Sequence, residues 1–342
     1  MVDEQKVDDR NDTVQVATAK PITAPALGAA PRRRAGLATA FVVLALLAAL
    51  AAWWTGDTFY LRLATEALIF GGLAMAVDLL LGIAGLLSLG QALFFGFGAY
   101  LSGLLLRDAG LSFWSVLAIA TVAGAAVGVV SGVIAIRARG VYFALIMFGL
   151  AQIAAKAVYN VQALGASDGL MGVPVVRIGV GPYSVSASDP LSFFLVVLVV
   201  IMVMYALLAY LLDTPFGRNM QALRANPLRL SFLGFDPWRY KLAAFVLAAT
   251  IASVAGALYP MLRGFASPEL LYFQTSGNAV ITVVLGGVGT LIGALYGSVI
   301  LFGLKSVVGT YTEHHLIVIG LLFMAAVIFF PSGLVGALRK KK

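Results

Sequence analysis

Long apolar runs recur along the whole chain, and they constrain its fold more than any other feature. Several approach or exceed the roughly 20 residues that an α-helix needs to cross a bilayer. The 342 residues are 61% hydrophobic and 11% charged, whereas soluble domains carry about 25% charged residues. The chain is therefore predicted to be an all-α, polytopic bundle of transmembrane helices. The single-span candidates are residues 37–55, 62–81, 87–106, 113–136, 140–160, 190–212, 240–262 and 315–331.

The region 271–308 is too long for one comfortable span, and the segment LGGVGTLIG (285–293) interrupts it. A similar segment, LGIAGLLSLG (81–90), lies between the second and third spans. Glycine clusters of this kind are typical of turns or broken helices in membranes, and paired breaks indicate either a translocation pathway or tight packing. The two segments share a short spacing pattern, in which Leu81, Gly82 and Gly85 match Leu285, Gly286 and Gly289. The match is either a remnant of an internal repeat or a coincidence.

The basic residues predict the number of spans, since those in short loops and tails favour the cytoplasmic side. If residues 271–308 cross twice, the chain has ten spans, both termini are cytoplasmic, and 17 of the 23 lysines and arginines lie inside. Re-entrant breaks would reduce the number to nine or eight. Residues 1–35 are then a disordered cytoplasmic tail, residues 36–335 the transmembrane domain and residues 336–342 a basic cytoplasmic tail.

A few polar side chains fall inside the spans, where such groups usually face a cavity or a partner. Glu66 and Asp78 share the second span, but about 18 Å of helix separates them, too far for a carboxylate pair. Asp78 is either a pathway or packing residue or a carboxylate that reaches water near the inner end. Uncharged groups beside the breaks suit a zwitterionic solute, although helix–helix hydrogen bonds explain them equally well. The translocation-pathway candidates are Asp78, Ser88, Gln91, Asn278 and Thr282.

Small residues at helical spacing indicate close helix contacts elsewhere. Gly124, Gly128 and Gly132 recur every four residues, and Gly293 and Gly297 repeat the spacing. Such glycines line one face of a helix and let the backbones of two helices approach closely. We therefore assign both sets to packing.

No catalytic or cofactor-binding pattern occurs in the sequence. The chain has no cysteine, and the adjacent His314 and His315 point to different helix faces, which does not suit a metal site. No Walker A motif or Ser-His-Asp arrangement is present. The basic residues form short blocks instead of the continuous face that nucleic-acid binding requires. We predict a protein that is not an enzyme and carries no cofactor, so any ATP hydrolysis must come from another chain.

Residues 213–239 form a basic segment that is predicted to be folded. Apolar residues follow one another at spacings of three and four, which is typical of helices. Residues typical of helix starts and stops occur in order: Asp213 or Thr214 with Pro215, then Pro227, Gly234 and Asp236-Pro237. A basic amphipathic helix of this kind lies either on anionic lipid or against a cytoplasmic partner.

The segment ALRANPLRLSFLGFDPWRYKLAAFVLAATIASVAGALY (222–259) resembles the signature region of the branched-chain amino acid ABC transporter permease family, LivM-type subunit. The resemblance covers roughly residues 60–335 in order and at family-like spacing. Four further segments carry it: LLLGIAGLLSLGQALFFGFGAYLSGLL (79–105), GVYFALIMFGLAQI (140–153), GASDGLMGVP (165–174) and VVLGGVGTLIGALYG (283–297).

This resemblance implies a multi-pass subunit of the bacterial inner membrane. Its partners would be a second homologous permease, two cytoplasmic ATPases that bind the ATP, and an extracytoplasmic solute-binding protein. A short helix in the 213–239 loop would sit in a groove of the ATPase. By position, this role falls to Leu223, Arg224, Ala225, Asn226, Leu233 and Gly234. The chain departs from the family in lacking the Glu-Ala-Ala start of the general importer loop and in carrying Asp78 where many relatives have an uncharged polar residue.

The solute is the most open part of the prediction. Relatives handle branched-chain or other amino acids, urea and short amides. The loop 161–189 either docks the binding protein, with Ser167, Asp168 and Gly169 as candidates, or merely covers the outer vestibule. The alternative function is an ion-coupled secondary transporter of a small solute, in which Asp78 and Glu66 would be the ion sites.

Overall fold

The computed structural model describes residues 31–56, 58–180 and 183–311, together with Ile317, Gly320, Leu321, Met324 and Gly333. Outside the described residues lie positions 1–30 of the predicted N-terminal tail, most of the predicted span 315–331, His314, His315 and the basic tail 336–342.

The described part of the chain is mostly helical. Seven of its helical segments are long and apolar enough to cross a membrane, by length and composition. The α-helices are α1 (Pro31–Thr55), α2 (Thr58–Asp78), α3 (Gln91–Arg107), α4 (Phe113–Ala135), α5 (Val141–Asn160), α6 (Pro190–Asp213), α7 (Pro215–Ala225), α8 (Pro227–Phe232), α9 (Pro237–Arg263), α10 (Phe273–Gly286) and α11 (Ile292–Tyr311).

The predicted helical class is confirmed for the described residues, which also contain two small antiparallel sheets. Strand β2 (Arg177–Val180) pairs with β3 (Tyr183–Ser186), and β1 (Leu170–Met171) pairs with β4 (Phe265–Ala266). Backbone groups that leave a helix still need hydrogen-bond partners, and short extended segments supply them by pairing. Leu170 and Ala266 are buried, so the sheet of β1 and β4 also fastens the 161–189 loop to the end of α9.

Helices α2 and α9 form the centre of the bundle. Helix α9 packs along α3, α4 and α2, and α2 also contacts α6, α10 and α11. The predicted glycine contacts are confirmed. Ideal Cβ atoms at Gly124, Gly128 and Gly132 of α4 would meet α9, and those at Gly293 and Gly297 of α11 would meet α10. The backbones of these pairs therefore lie close together, as expected for small residues at membrane helix interfaces.

Both glycine-rich segments interrupt helical structure. Helix α2 continues as a π-helical turn over Leu79–Ala84, which ends at Gly85 with φ +73°, and α3 begins only at Gln91. The second interruption covers residues 287–291, between the ends of α10 and α11. We call these segments the first break (85–90) and the second break (287–291). Their contacts with the loop between α6 and α9 define the candidate site.

Candidate functional site

The loop between α6 and α9 is built from capped helices. The Thr214 side chain caps α7, and the Asn226 side chain caps α8 by accepting hydrogen bonds from the N–H groups of Leu228 and Arg229 at 3.0 and 3.1 Å. Asp236 caps α9 in the same way. Each capping residue precedes a proline, which is favoured at the first helical position because it has no N–H to satisfy. The two predicted short helices separated by Pro227 are confirmed.

This loop packs against the helix bundle. The side chains of Met220, Leu223 and Leu230 are buried. The ring of Phe216 stacks on Tyr240 of α9 with 5.5 Å between centroids, and the amide of Asn219 donates to the Tyr240 hydroxyl at 2.9 Å. Burial and directional hydrogen bonds together fix the loop in one position relative to α9.

The same loop exposes apolar side chains on its outer side. Phe232 is 90% exposed, and Leu228 and Leu233 are each 68% exposed. Phe235 and Trp238 extend the surface. We call these five side chains the loop patch. Exposed apolar groups on a polar loop suit a contact with a protein partner or with the membrane surface.

The residues that were predicted to contact an ATPase differ in their exposure. Ala225, Asn226, Leu233 and Gly234 are exposed, and Gly234 has φ +84°, in the region that favours glycine. The side chain of Leu223 is buried. Sequence reasoning missed Leu228 and Phe232, although their i,i+4 spacing directly after Pro227 was an available signal.

Arg224 is directed towards the helix bundle. Its guanidinium donates a hydrogen bond to the backbone carbonyl of Gly82, within the π-helical turn. Its aliphatic stem lies over the start of the first break, where a Cβ added at Gly85 would lie only 2.8 Å from Arg224 Cγ. Arg224 thus joins the loop to the first break.

Asp78, which directly precedes the π-helical turn, contacts the second break. Its Oδ1 accepts a hydrogen bond from the N–H of Gly289 at 2.6 Å, and its Oδ2 accepts one from the N–H of Leu291 at 2.7 Å. Of the two roles that the sequence left open for Asp78, the one that requires contact with water does not fit the structure, because the side chain is fully buried and the two backbone donors take the place of water. A Cβ added at Gly82 would overlap both Asp78 Oδ1 and the Gly289 nitrogen. The π-helical turn that leads into the first break is therefore in direct contact with the second break.

The uncharged pathway candidates lie near the start of α3 and along α10. Gln91 is fully buried, and its amide nitrogen lies 3.4 Å from the hydroxyl of the buried Ser88. Among the described residues, Gln91 Oε1 has no hydrogen-bond partner. On α10, the Thr282 hydroxyl donates to the backbone carbonyl of Asn278 at 2.8 Å, so it is engaged within its own helix.

Glu66 forms an ion pair with Arg263 at the end of α9. An ion-coupled transporter would need the oxygens of Glu66 and Asp78 for a cation. In the structure a guanidinium contacts Glu66, and two N–H donors occupy both oxygens of Asp78. This arrangement speaks against the ion-coupled alternative.

The 161–189 loop lies at the other end of the bundle. Ser167 and Asp168 are exposed and hydrogen-bonded to each other at 3.1 Å. Gly169 is buried against the backbone of Ala266, so only the first two side chains are open to a partner. A pocket of about 250 Å³ lies beside this loop and is lined by Arg62, Thr65, Arg263 and parts of residues 173–175 and 187–190.

Comparison with known proteins gives one consistent family. Residues 59–327 match the family described as "branched-chain amino acid transport system / permease component". The high-affinity branched-chain amino acid transport system permease protein LivM of Salmonella typhimurium is 30% identical over 292 residues, which are 80% of this chain and 69% of the relative. LivM of Escherichia coli gives the same figures.

A second type of permease is also similar. The high-affinity branched-chain amino acid transport system permease protein LivH of Escherichia coli is 29% identical over 141 residues, which are 41% of this chain and 46% of the relative. No solved structure gives a significant match.

Proposed function

The chain belongs to the branched-chain amino acid transport permease family, and we propose that it is one permease subunit of an ABC importer. It moves branched-chain or related amino acids across the bacterial inner membrane, and a separate ATPase drives it. The observation that carries this proposal is the loop patch, held on a loop that is fixed to the bundle. The sequence has no nucleotide-binding motif, so the energy of ATP would reach this chain through a partner, and a rigid exposed apolar surface suits that contact.

The proposed complex contains four kinds of subunit. Similarity to both LivM-type and LivH-type permeases supports a second, homologous permease. The complex also contains two cytoplasmic ATPases, one of which contacts the loop patch of this chain, and an extracytoplasmic solute-binding protein that docks beside the 161–189 loop. Exposed Ser167 and Asp168 support that position.

The proposed topology has ten spans, with both termini in the cytoplasm. Its support is twofold. The second break divides the long apolar region into two helices, α10 and α11, of which α10, with 14 residues, is shorter than a full span. Two crossings there also keep 17 of the 23 basic residues on the cytoplasmic side, as the positive-inside rule favours.

The decisive experiment replaces Phe232. In the Phe232→Asp variant a charge occupies the centre of the loop patch, so the partner ATPase should no longer co-purify and ATP-driven uptake in proteoliposomes should be lost. Phe232→Leu keeps an apolar side chain and serves as the matched control. Uptake that continues without the ATPase, or that collapses with a proton uncoupler at constant ATP, would refute the proposal.

A further inference from the structure

Three consecutive contacts link the loop between α6 and α9 to the second break. Arg224 on α7 donates to the Gly82 carbonyl. Gly82 lies one turn after Asp78, and a Cβ there would touch both Asp78 Oδ1 and Gly289. Asp78 then holds Gly289 and Leu291 through its two oxygens. Each contact in this series is direct, from one residue to the next.

We propose that Arg224 and Asp78 are positioning residues that transmit the movement of the loop to the second break and so to α10. This inference rests on the proposed function, since the loop moves only if an ATPase acts on it. It assigns Asp78 to coupling instead of solute contact. In the same way it assigns Arg224 to a contact with the membrane helices instead of a contact with the ATPase.

The backbone conformations of the π-helical turn and of the second break suit a change between two states. The π-helical turn at Leu79–Ala84 is a rare conformation that is frequent at functional sites. In the second break, Gly287 and Gly289 have φ +117° and +81°, and Leu291 has φ +56°. A left-handed leucine is sterically unfavourable and persists only where its surroundings hold it. The Asp78 carboxylate stabilises this conformation by accepting a hydrogen bond from the N–H of Leu291.

Movement of the second break would reach the middle of the bundle through α10. This helix ends at the break, and near its other end the Ser276 hydroxyl accepts a hydrogen bond from the N–H of Ala92 at 2.9 Å. The same helix carries Asn278 and Thr282, and α3 begins with Gln91. A shift of α10 would therefore change the surroundings of the predicted pathway residues.

The test uses the complete complex of both permeases, the ATPases and the binding protein. The chain has no cysteine, so a single Val288→Cys substitution in the second break introduces one reactive thiol on this subunit. Val288 is 37% exposed, so a thiol at this position is accessible to a maleimide. Labelling rates are compared between the nucleotide-free complex and the complex trapped with ATP. Arg224→Lys and Asp78→Asn are added separately.

Arg218→Lys is the matched control, because Arg218 lies on the same helix α7, is exposed and donates to the nearby Asp213 carbonyl. We expect ATP to change the labelling rate of the introduced thiol in the Val288→Cys complex and in its Arg218→Lys derivative. In Arg224→Lys and Asp78→Asn this change should shrink about five-fold or more, the lower end of usual coupling between two sites. The ATPase should still co-purify with these variants, while solute moved per ATP hydrolysed falls.

Negative results of this experiment distinguish a failure of the proposed function from a failure of the inference. If the unaltered complex shows no ATP-driven uptake, the proposed function itself is wrong. If uptake is ATP-driven but ATP leaves labelling of the introduced thiol unchanged, or either variant keeps the full change, the inference alone is overturned. If Asp78→Asn fails to assemble, Arg224→Lys decides, since lysine retains the charge and an aliphatic stem and loses the fixed guanidinium geometry.

Discussion

The hydroxyl of Ser276 on α10 accepts a hydrogen bond from the backbone N–H of Ala92 in the first turn of α3, at 2.9 Å. Both residues are completely buried. The first N–H groups of a helix have no partner within that helix, and a buried donor without a partner is costly. Ser276 therefore supports the start of α3 from a different helix.

Ser276→Ala should lower the free energy of unfolding by about 1–3 kcal/mol, because the Ala92 N–H is left buried and unpaired. Thermal unfolding of the purified subunit in detergent measures the change. Ser298→Ala is the control: Ser298 is equally buried, but its hydroxyl donates to the Leu295 carbonyl of its own helix. Equal effects of the two substitutions would contradict the supporting role of Ser276.

The close approach of α3 and α9 gives a second prediction. A Cβ at Gly256 would overlap the backbone carbonyl of Phe95, whereas a Cβ at Gly303 of α11 would meet no atom within 4 Å. Gly256→Ala should destabilise the subunit by about 1–3 kcal/mol, since the two backbones must separate. Gly303→Ala should be neutral or stabilise it by up to about 1 kcal/mol, because alanine favours the helix. The same unfolding measurement distinguishes the two, and an unchanged Gly256→Ala subunit would disprove this close packing.

Local features of the fold could be predicted from the sequence, because they depend on neighbouring residues. The predicted caps at Thr214 and Asp236 each adjoin a proline, and the helix break at Pro227 follows from its missing N–H. The glycine spacing of α4 likewise predicted a packing face. These signals lie within a few residues of the structure that they specify.

Contacts between distant segments could not be predicted in this way. Asp78 and Gly289 are 211 positions apart, and Ala92 and Ser276 are 184 positions apart. The sequence alone left Asp78 open between a pathway, packing and interfacial role, because its partners are backbone N–H groups that every residue type except proline carries. Arg224 was assigned to the ATPase for a similar reason: position in the loop does not tell which way a side chain points.

The cap of α8 gives a third prediction, about the ATPase contact. Asn226→Ala removes the acceptor for the N–H groups of Leu228 and Arg229, a loss that usually costs about 1 kcal/mol of helix stability. Because α8 carries Phe232 of the loop patch, the ATPase should bind more weakly and uptake should fall. Asn226→Asp retains a cap oxygen and should leave ATPase co-purification nearly unchanged. Equal loss in both variants would contradict a role of Asn226 through the cap.

The pocket beside the 161–189 loop gives the last prediction. Arg62 and Arg263 both line it, and Arg263 is already paired with Glu66. A carboxylate from the solute-binding protein would be attracted there, and such charges mainly govern the rate of association. Arg62→Glu should therefore slow docking of the binding protein, measured with surface-immobilised complex at low salt, and the difference should diminish as salt is raised.

Arg107→Glu is the control for this last prediction, because it makes the same change of charge at a residue that lies outside the pocket, beside Asp108. If the pocket receives the binding protein, Arg107→Glu should slow docking less than Arg62→Glu does at the same salt concentration. An equal slowing by both substitutions would indicate a general charge effect and remove the reason to place the docking contact at this pocket.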